Sequence, residues 1–303
     1  MKNKKIKSLL KSIRVKQWTK NLLVFSAIIF AFDFNKQAIS NTSLAFISFC
    51  LISSAIYLIN DFFDIKSDRL HPVKKFRPIA SGELSKLEAL LSATILALSS
   101  LFLASLISFN LLFIVSIYFL LQIFYCIRLK KEPILDLLSI SSGFLLRALA
   151  GVSASNLSFS PWFSLSIGLL SLFLAVEKRK AELKIFLQSG VLTRKVLNRY
   201  SLELLNRYES VLTSSTFVSY SLWAAGPTLN GAETELMLLT VPFVLLGIFR
   251  YQLLSNISSI KNQSYLSNKI STESPEEILL NDKGIKLTIT GWLLTIILIN
   301  FVK

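Results

Sequence analysis

The sequence predicts an all-α, polytopic membrane protein with nine spanning helices. Three observations carry that expectation. Of 303 residues, 52% are hydrophobic and 23 are Phe, and the mean hydropathy is +0.58. Several stretches run uncharged for close to the ~20 residues that cross a bilayer. Lys and Arg gather in alternate connections, as they do when one side of a membrane protein faces the cytoplasm.

The elements follow in order. Residues 1–20 are basic, with Ile6, Leu9, Leu10 and Ile13 at helical spacing, which predicts a helix lying on the cytoplasmic membrane face. No small-residue cleavage site follows the first apolar run, so that run reads as a retained span. The nine spans are expected near Asn21–Phe32, Leu44–Asn60, Leu87–Phe109, Leu111–Ile127, Ile134–Ala154, Trp162–Val176, Val211–Ala225, Leu236–Phe249 and Leu287–Val302. The connections on the N-terminal side (1–20, 61–86, 128–133, 177–208 and 250–286) hold 30 of the 33 Lys and Arg residues. The connections near Ser155–Pro161 and Ala225–Leu236 hold none. The formal charge of +15 is thereby explained by topology, with contact to anionic lipid as a secondary use, and nucleic acid is excluded as a partner.

No low-complexity linker interrupts the chain, and 1–303 reads as a single transmembrane domain. Connections 61–86 and 177–208 are expected to be cytoplasmic active-site loops. They share charge, but too little sequence to mark a repeat. Cys50 and Cys126 both lie in apolar runs and offer neither disulfide nor zinc spacing.

The chemistry concentrates in Asn60–Gly82, where the second span runs out. Asp61, Asp64 and Asp68 are spaced by three and four residues. At about 100° per residue, a helix carries all three within roughly 60° of one another. Charges are expected wherever a helix meets water, but three acids on one face beside Asn60, from only 18 in the chain, point further. Lys74, Lys75 and Arg77 follow on a turn bracketed by Pro72 and Pro78. Carboxylates that hold Mg²⁺, with cations alongside, are what a metal–diphosphate site requires. His71, the only histidine, carries no assignment.

Other residues stand out singly. Arg147 sits inside SISSGFLLRALAG, about ten residues from either end of its span, and an intramembrane Arg normally faces a cavity or a partner. Asp136 precedes it by three turns, with Ser141, Ser142 and Gly143 between them. Tyr125 and Lys130 end the fourth span, where Tyr125 equally suits an interfacial aromatic belt. Lys178, Arg179 and Glu182 follow the sixth span, and Arg179 and Glu182 are placed to pair with each other. Gln17, Lys20 and Asn21 lie where the surface helix enters the membrane.

These segments together resemble a known family. NDFFDIKSD followed by RPIASG resembles the first aspartate-rich motif of the UbiA superfamily of intramembrane prenyltransferases. RVKQWTKNLLVF, SSGFLLRALAG, EKRKAEL and ESPEEILLNDKG resemble its decaprenyl-phosphate phosphoribosyltransferase branch. The resemblance covers the whole chain and implies nine helices around a central cavity. It also implies transfer of 5-phosphoribose from phosphoribosyl diphosphate to a polyprenyl phosphate, with Mg²⁺, for envelope glycan synthesis at the bacterial cytoplasmic membrane. Carried over by position, Asp61, Asp64 and Asp68 would bind metal and diphosphate, with Asn60 beside them. Lys74, Lys75 and Arg77 would reach phosphates from the loop. Lys20, Tyr125, Lys130, Arg147, Lys178 and Arg179 would hold the phosphates of donor and acceptor.

One departure bears on the choice of branch. Where aromatic prenyltransferases carry a second aspartate-rich motif, this chain has Glu177, Lys178, Arg179 and Glu182. A more cationic second site suits two phosphorylated substrates. The alternatives are an aromatic or quinone-pathway prenyltransferase and, without chemistry, a lipid-phosphate transporter.

Overall fold

The computed structural model describes residues 2–70, 73–157, 160–190, 194–260 and 281–302. His71, Pro72 and most of the ESPEEILLNDKG segment lie outside the described residues. Every regular element among the described residues is helical. The chain forms two compact units, one from residues 1–130 and 142–158, the other from residues 131–141 and 159–303.

The first unit holds α1 (Lys2–Ser12), a 3-10 segment (Val15–Phe25), α2 (Ser26–Phe30), α3 (Lys36–Phe63) and α4 (Ile65–Leu70). It continues through α5 (Pro78–Ser81), α6 (Lys86–Ile107), α7 (Phe109–Ile127) and the later part of α8 (Leu135–Ser155). Helix starts follow local chemistry. Asn35 accepts from the Ala38 N–H at the head of α3 (2.8 Å), and Ser85 with Glu88 forms a capping box at the head of α6. Helix α6 buries Ala89, Ala93, Ala97, Ser100 and Ala104. This stripe of small residues lets α3 approach closely, and Ser48 and Ser100 donate to each other's carbonyls at 3.0 and 2.8 Å. The opposite face exposes Leu87, Leu91, Ile95, Leu98 and Phe102, as a lipid-facing surface does. Gly151 of α8 is required by close approach, because a Cβ there would stand 1.9 Å from the Val24 carbonyl oxygen.

The second unit holds the first turns of α8, then α9 (Pro161–Ser189) and α10 (Leu202–Ala224). A 3-10 turn (Glu235–Thr240) leads into α11 (Val241–Ile260), and α12 (Lys283–Val302) follows. Ser166 donates to Ser219 across α9 and α10 (3.0 Å), and Trp292 of α12 donates to the Tyr220 hydroxyl (2.8 Å). An almost wholly apolar cavity of about 350 Å³ lies among α9, α11 and α12.

Among the described residues, 7 helices are long and apolar enough to cross a membrane. The protein is an integral membrane protein. Two of the nine expected spans differ from that count, each for a physical reason. Asn21–Phe32 is the end of the 3-10 segment plus the five-residue α2, an apolar run too short to cross as one straight helix. Val211–Ala225 covers the second half of α10 and its C-cap, where Thr213, Ser214, Ser215, Thr216, Ser219 and Ser221 dilute the apolar run. The sixth helix does not stop at Val176 but continues to Ser189, so the first part of 177–208 is helix.

Candidate active site

The carboxylate cluster forms at a break between helices. Helix α3 ends at Phe63, and Asp64 occupies its C-cap with φ −91° and ψ 3°. Asp61 therefore projects from α3, Asp64 from the junction and Asp68 from α4. The expected single helix is interrupted, yet the acids stay together. Asp61 and Asp68 are buried, at 2% and 3% exposure. Arg77 reaches both with one nitrogen, its Nη1 lying 3.2 Å from Asp61 Oδ1 and 2.7 Å from Asp68 Oδ2. Lys130 donates to Asp64 Oδ1 at 2.7 Å and to Asn60 Oδ1 at 3.4 Å.

Arg77 is aimed by its backbone. It sits in the extended region (φ −67°, ψ 140°), which the following Pro78 favours, and Pro78 opens α5. Gly82, at φ +87°, ends that helix in a conformation that suits glycine. Lys74 is half-buried, and Lys75 is exposed over the Phe76 ring at 5.1 Å.

A second cation reaches Asp61 that sequence reasoning missed. Arg14, between α1 and the 3-10 segment, also pairs through Nη2 with Asp61 Oδ1. Its guanidinium lies 4.8 Å from the Tyr57 ring centroid. The signal was present in RVKQWTKNLLVF, but Arg14 was absorbed into the count of cytoplasmic charge.

Deeper in the same unit, Arg147 is buried at 6% exposure. It donates to Asn21 Oδ1 (2.7 Å), the Gly143 carbonyl (2.7 Å) and the Tyr118 hydroxyl (2.9 Å). Its guanidinium also stacks on Tyr118, 4.9 Å from the centroid. Asn21 turns its amide to Cys50 Sγ (3.4 Å) and Ser53 Oγ (3.3 Å). Arg147 thus ties the 3-10 segment to α7 and α8. Lys20, half-buried, precedes Asn21 on that segment, and half-buried Tyr125 lies near the end of α7.

The second unit has its own buried charges. Arg179, fully buried, pairs with Asp136 at 2.5 and 3.1 Å and with Glu182. Lys180 pairs with Glu177 at 3.2 Å and with Glu209. Lys178 is half-buried on α9. The Tyr200 hydroxyl, whose pKa burial pushes up, accepts from the Ile134 N–H at 2.8 Å. Asp282 caps α12 by accepting from Ile285 N–H (2.8 Å). The Arg250 guanidinium that grips Asp282 holds its carboxyl below the usual range.

The aspartates suit a hard divalent cation. Among the described residues no three His, Cys, Asp or Glu side chains stand together as a complete ligand group. Two buried carboxylates nevertheless converge on one cationic nitrogen. That matches how Mg²⁺ is usually held, by one or two carboxylates with phosphate oxygens and water completing the shell.

Comparison with known proteins decides the family. The pattern of the UbiA prenyltransferase family matches residues 22–266. The chain belongs to the UbiA prenyltransferase family. Among its UbiA relatives, the decaprenyl-phosphate phosphoribosyltransferase of Mycolicibacterium smegmatis is 35% identical over 96% of this chain and 92% of that protein. The decaprenyl-phosphate phosphoribosyltransferase of Corynebacterium glutamicum is 33% identical over 97% of this chain and 87% of its own. A UbiA homolog from Archaeoglobus fulgidus, solved bound to DMAPP and Mg²⁺, superposes with a TM-score of 0.73 at 18% identity. That match covers 98% of this chain and 100% of the other, and establishes a shared fold.

Proposed function

We propose that this UbiA protein transfers 5-phosphoribose from phosphoribosyl diphosphate to a polyprenyl phosphate, releasing diphosphate. The observation that carries the reading is similarity running nearly end to end with proteins named decaprenyl-phosphate phosphoribosyltransferase. A cationic EKRKAEL segment, where aromatic prenyltransferases carry aspartates, supports it. The whole chain acts as one catalytic domain in the bacterial cytoplasmic membrane, with its basic connections on the cytoplasmic side, and the product feeds envelope glycan synthesis.

Asp61, Asp64 and Asp68 hold Mg²⁺ in this reading, beside Asn60. The bound ion supplies charge neutralisation at the diphosphate leaving group. The chain's own residues do the rest. Arg77, Lys74, Lys75 and Lys130 take donor phosphate oxygens, and Arg77 is already poised over two of the carboxylates. The C1–O bond of the ribose breaks with its electron pair leaving on diphosphate. An acceptor phosphate oxygen bonds to C1, which passes through oxocarbenium-like character. That oxygen is already anionic, so no strong general base is required. Lys20, Tyr125 and Lys178 each take phosphate oxygens of donor or acceptor, and rate enhancement comes from positioning and electrostatics. Arg147 and Arg179, both buried on protein acceptors, position the elements that carry these groups.

The apolar cavity of about 350 Å³ is within the range of ligand sites and suits an isoprenoid chain. Its wall includes Leu174, four residues before Lys178 on α9, so a headgroup at Lys178 and a chain in the cavity lie about one helical turn apart. Gly247 lines the cavity, and a Cβ there meets only Thr288 Cγ2 at 3.8 Å. Gly247→Leu should therefore fold normally and fill the space. The KM for a long polyprenyl phosphate should rise severalfold, with a short-chain acceptor little affected. Steady-state kinetics with two acceptor lengths checks this, and equal effects on both would remove the chain from the cavity.

The transfer itself is tested by diphosphate release from purified protein. Release should require phosphoribosyl diphosphate and a polyprenyl phosphate together. Release only with prenyl diphosphate and an aromatic acid would favour ring prenylation. Movement of lipid across vesicles without any release would favour a transporter.

A further inference from the structure

We propose that Arg14 is an exchangeable cation on Asp61. It holds the carboxylate in the absence of a divalent ion, and turns onto diphosphate oxygens when that ion binds. The proposal rests on the reading of Asp61 as a ligand for such an ion, and assigns a role to a residue outside the aspartate motif and its basic loop.

Five observations carry it. Arg14 and Arg77 share a single acceptor, Oδ1 of Asp61. Arg77 has a second acid in Asp68, so it keeps a charged partner if Asp61 is taken. The Arg14 side chain is 28% exposed whereas Asp61 is 2% exposed, so the guanidinium has a wet side on which to turn.

The backbone is the fourth observation. Arg14 adopts the left-handed conformation, φ 53° and ψ 54°. For a residue with a long side chain this is strained and persists only where surrounding contacts impose it. Those contacts are the fifth observation, and they lie on both sides. Upstream, α1 is fastened by Lys5 to Glu88 (2.5 Å), Ser8 to Glu83 (2.9 Å) and Lys11 to the Phe76 carbonyl (3.1 Å). Downstream, Trp18 donates to Ser54 Oγ (3.1 Å), and Asn21 is held by Arg147. The amphipathic helix thus delivers one guanidinium to the carboxylate cluster.

Charge then sets the exchange. A divalent ion on Asp61 repels a guanidinium on the same oxygen. A bound diphosphate offers paired oxygens that match the planar fork of Arg. Arg14 competes with the ion when the ion is alone and cooperates with it once diphosphate is present.

These opposite signs make the test. Mn²⁺ binding to the purified full chain is followed by electron paramagnetic resonance, first alone and then with inorganic diphosphate. The proteins are wild type, Arg14→Ala, Arg14→Gln and Asp61→Asn, with thermal melting to confirm folding. Both Arg14 variants should bind Mn²⁺ alone more tightly, on the order of three- to tenfold, and should bind diphosphate with Mn²⁺ more weakly by a similar factor. A merely structural Arg14 would weaken both, and unchanged or weaker Mn²⁺ binding overturns the exchange. If Asp61→Asn binds Mn²⁺ as tightly as wild type, the metal assignment fails by itself, whatever the Arg14 variants do.

Discussion

Asp61→Asn abolishes turnover, with kcat falling about 10²–10³-fold or more, while the protein still folds and inserts. The size is that of removing one preorganised electrostatic contact from a transition state that builds charge. The side chain is nearly isosteric, so packing is preserved. Arg14 and Arg77 lose a charged acceptor, but they are 28% and 25% exposed, and Arg77 retains Asp68. The charges left behind sit on these partly exposed arginines, so the stability cost is about 1 kcal/mol even though Asp61 itself is buried. Initial rates with both substrates, beside a melting curve, separate the two effects. A variant that turns over at the wild-type rate would remove the diphosphate site from α3.

Asp136→Ala has the opposite profile. Arg179 is fully buried, and two of its hydrogen bonds go to Asp136. Removing one partner of a buried pair leaves an uncompensated charge, at a cost of about 3–5 kcal/mol. Glu182 still accepts from Arg179, which puts the expected loss toward the lower end. Unfolding of the variant should show this loss, with kcat per folded molecule changed only modestly. Wild-type stability would mean that Arg179 finds other partners without strain. A collapse of kcat with stability intact would place Arg179 on a substrate instead.

The contrast between those two aspartates shows what was legible in the sequence. Asp61, Asp64 and Asp68 declared themselves because acids spaced by three and four at the end of an apolar run fall on one helical face. The bounds of α6 and α7 lie within a few residues of the expected spans Leu87–Phe109 and Leu111–Ile127, and the structure caps the two helices with Ser85 and Ser108. Asp136 drew attention only through its distance from Arg147, whereas the structure joins it to Arg179, 43 residues away. Hydropathy could not anticipate this, because it reads Glu177, Lys178, Arg179 and Lys180 as a helix meeting water. Buried pairing lets α9 continue instead to Ser189.

The N-terminal segment was opaque for a different reason. Residues 15–25 form a 3-10 run held by side chains from elsewhere in the chain, namely Ser54 and Arg147. Nothing local encodes that geometry, so residues 15–20 read as the end of the surface helix and 21–25 as the start of an ordinary span. Arg14 was counted as topology charge because its partner lies 47 residues away. Arg147 stood out in the sequence as a residue that faces a cavity or a partner, but the sequence could not say that its partners would be Asn21, Tyr118 and Gly143.

The most direct test of the central claim is the mass of the lipid product. Purified protein with Mg²⁺, phosphoribosyl diphosphate and a polyprenyl phosphate should convert the acceptor to a species heavier by one phosphoribosyl group, with diphosphate formed in equal amount. An acceptor of unchanged mass, with product formed only from a prenyl diphosphate and an aromatic acid, would contradict it.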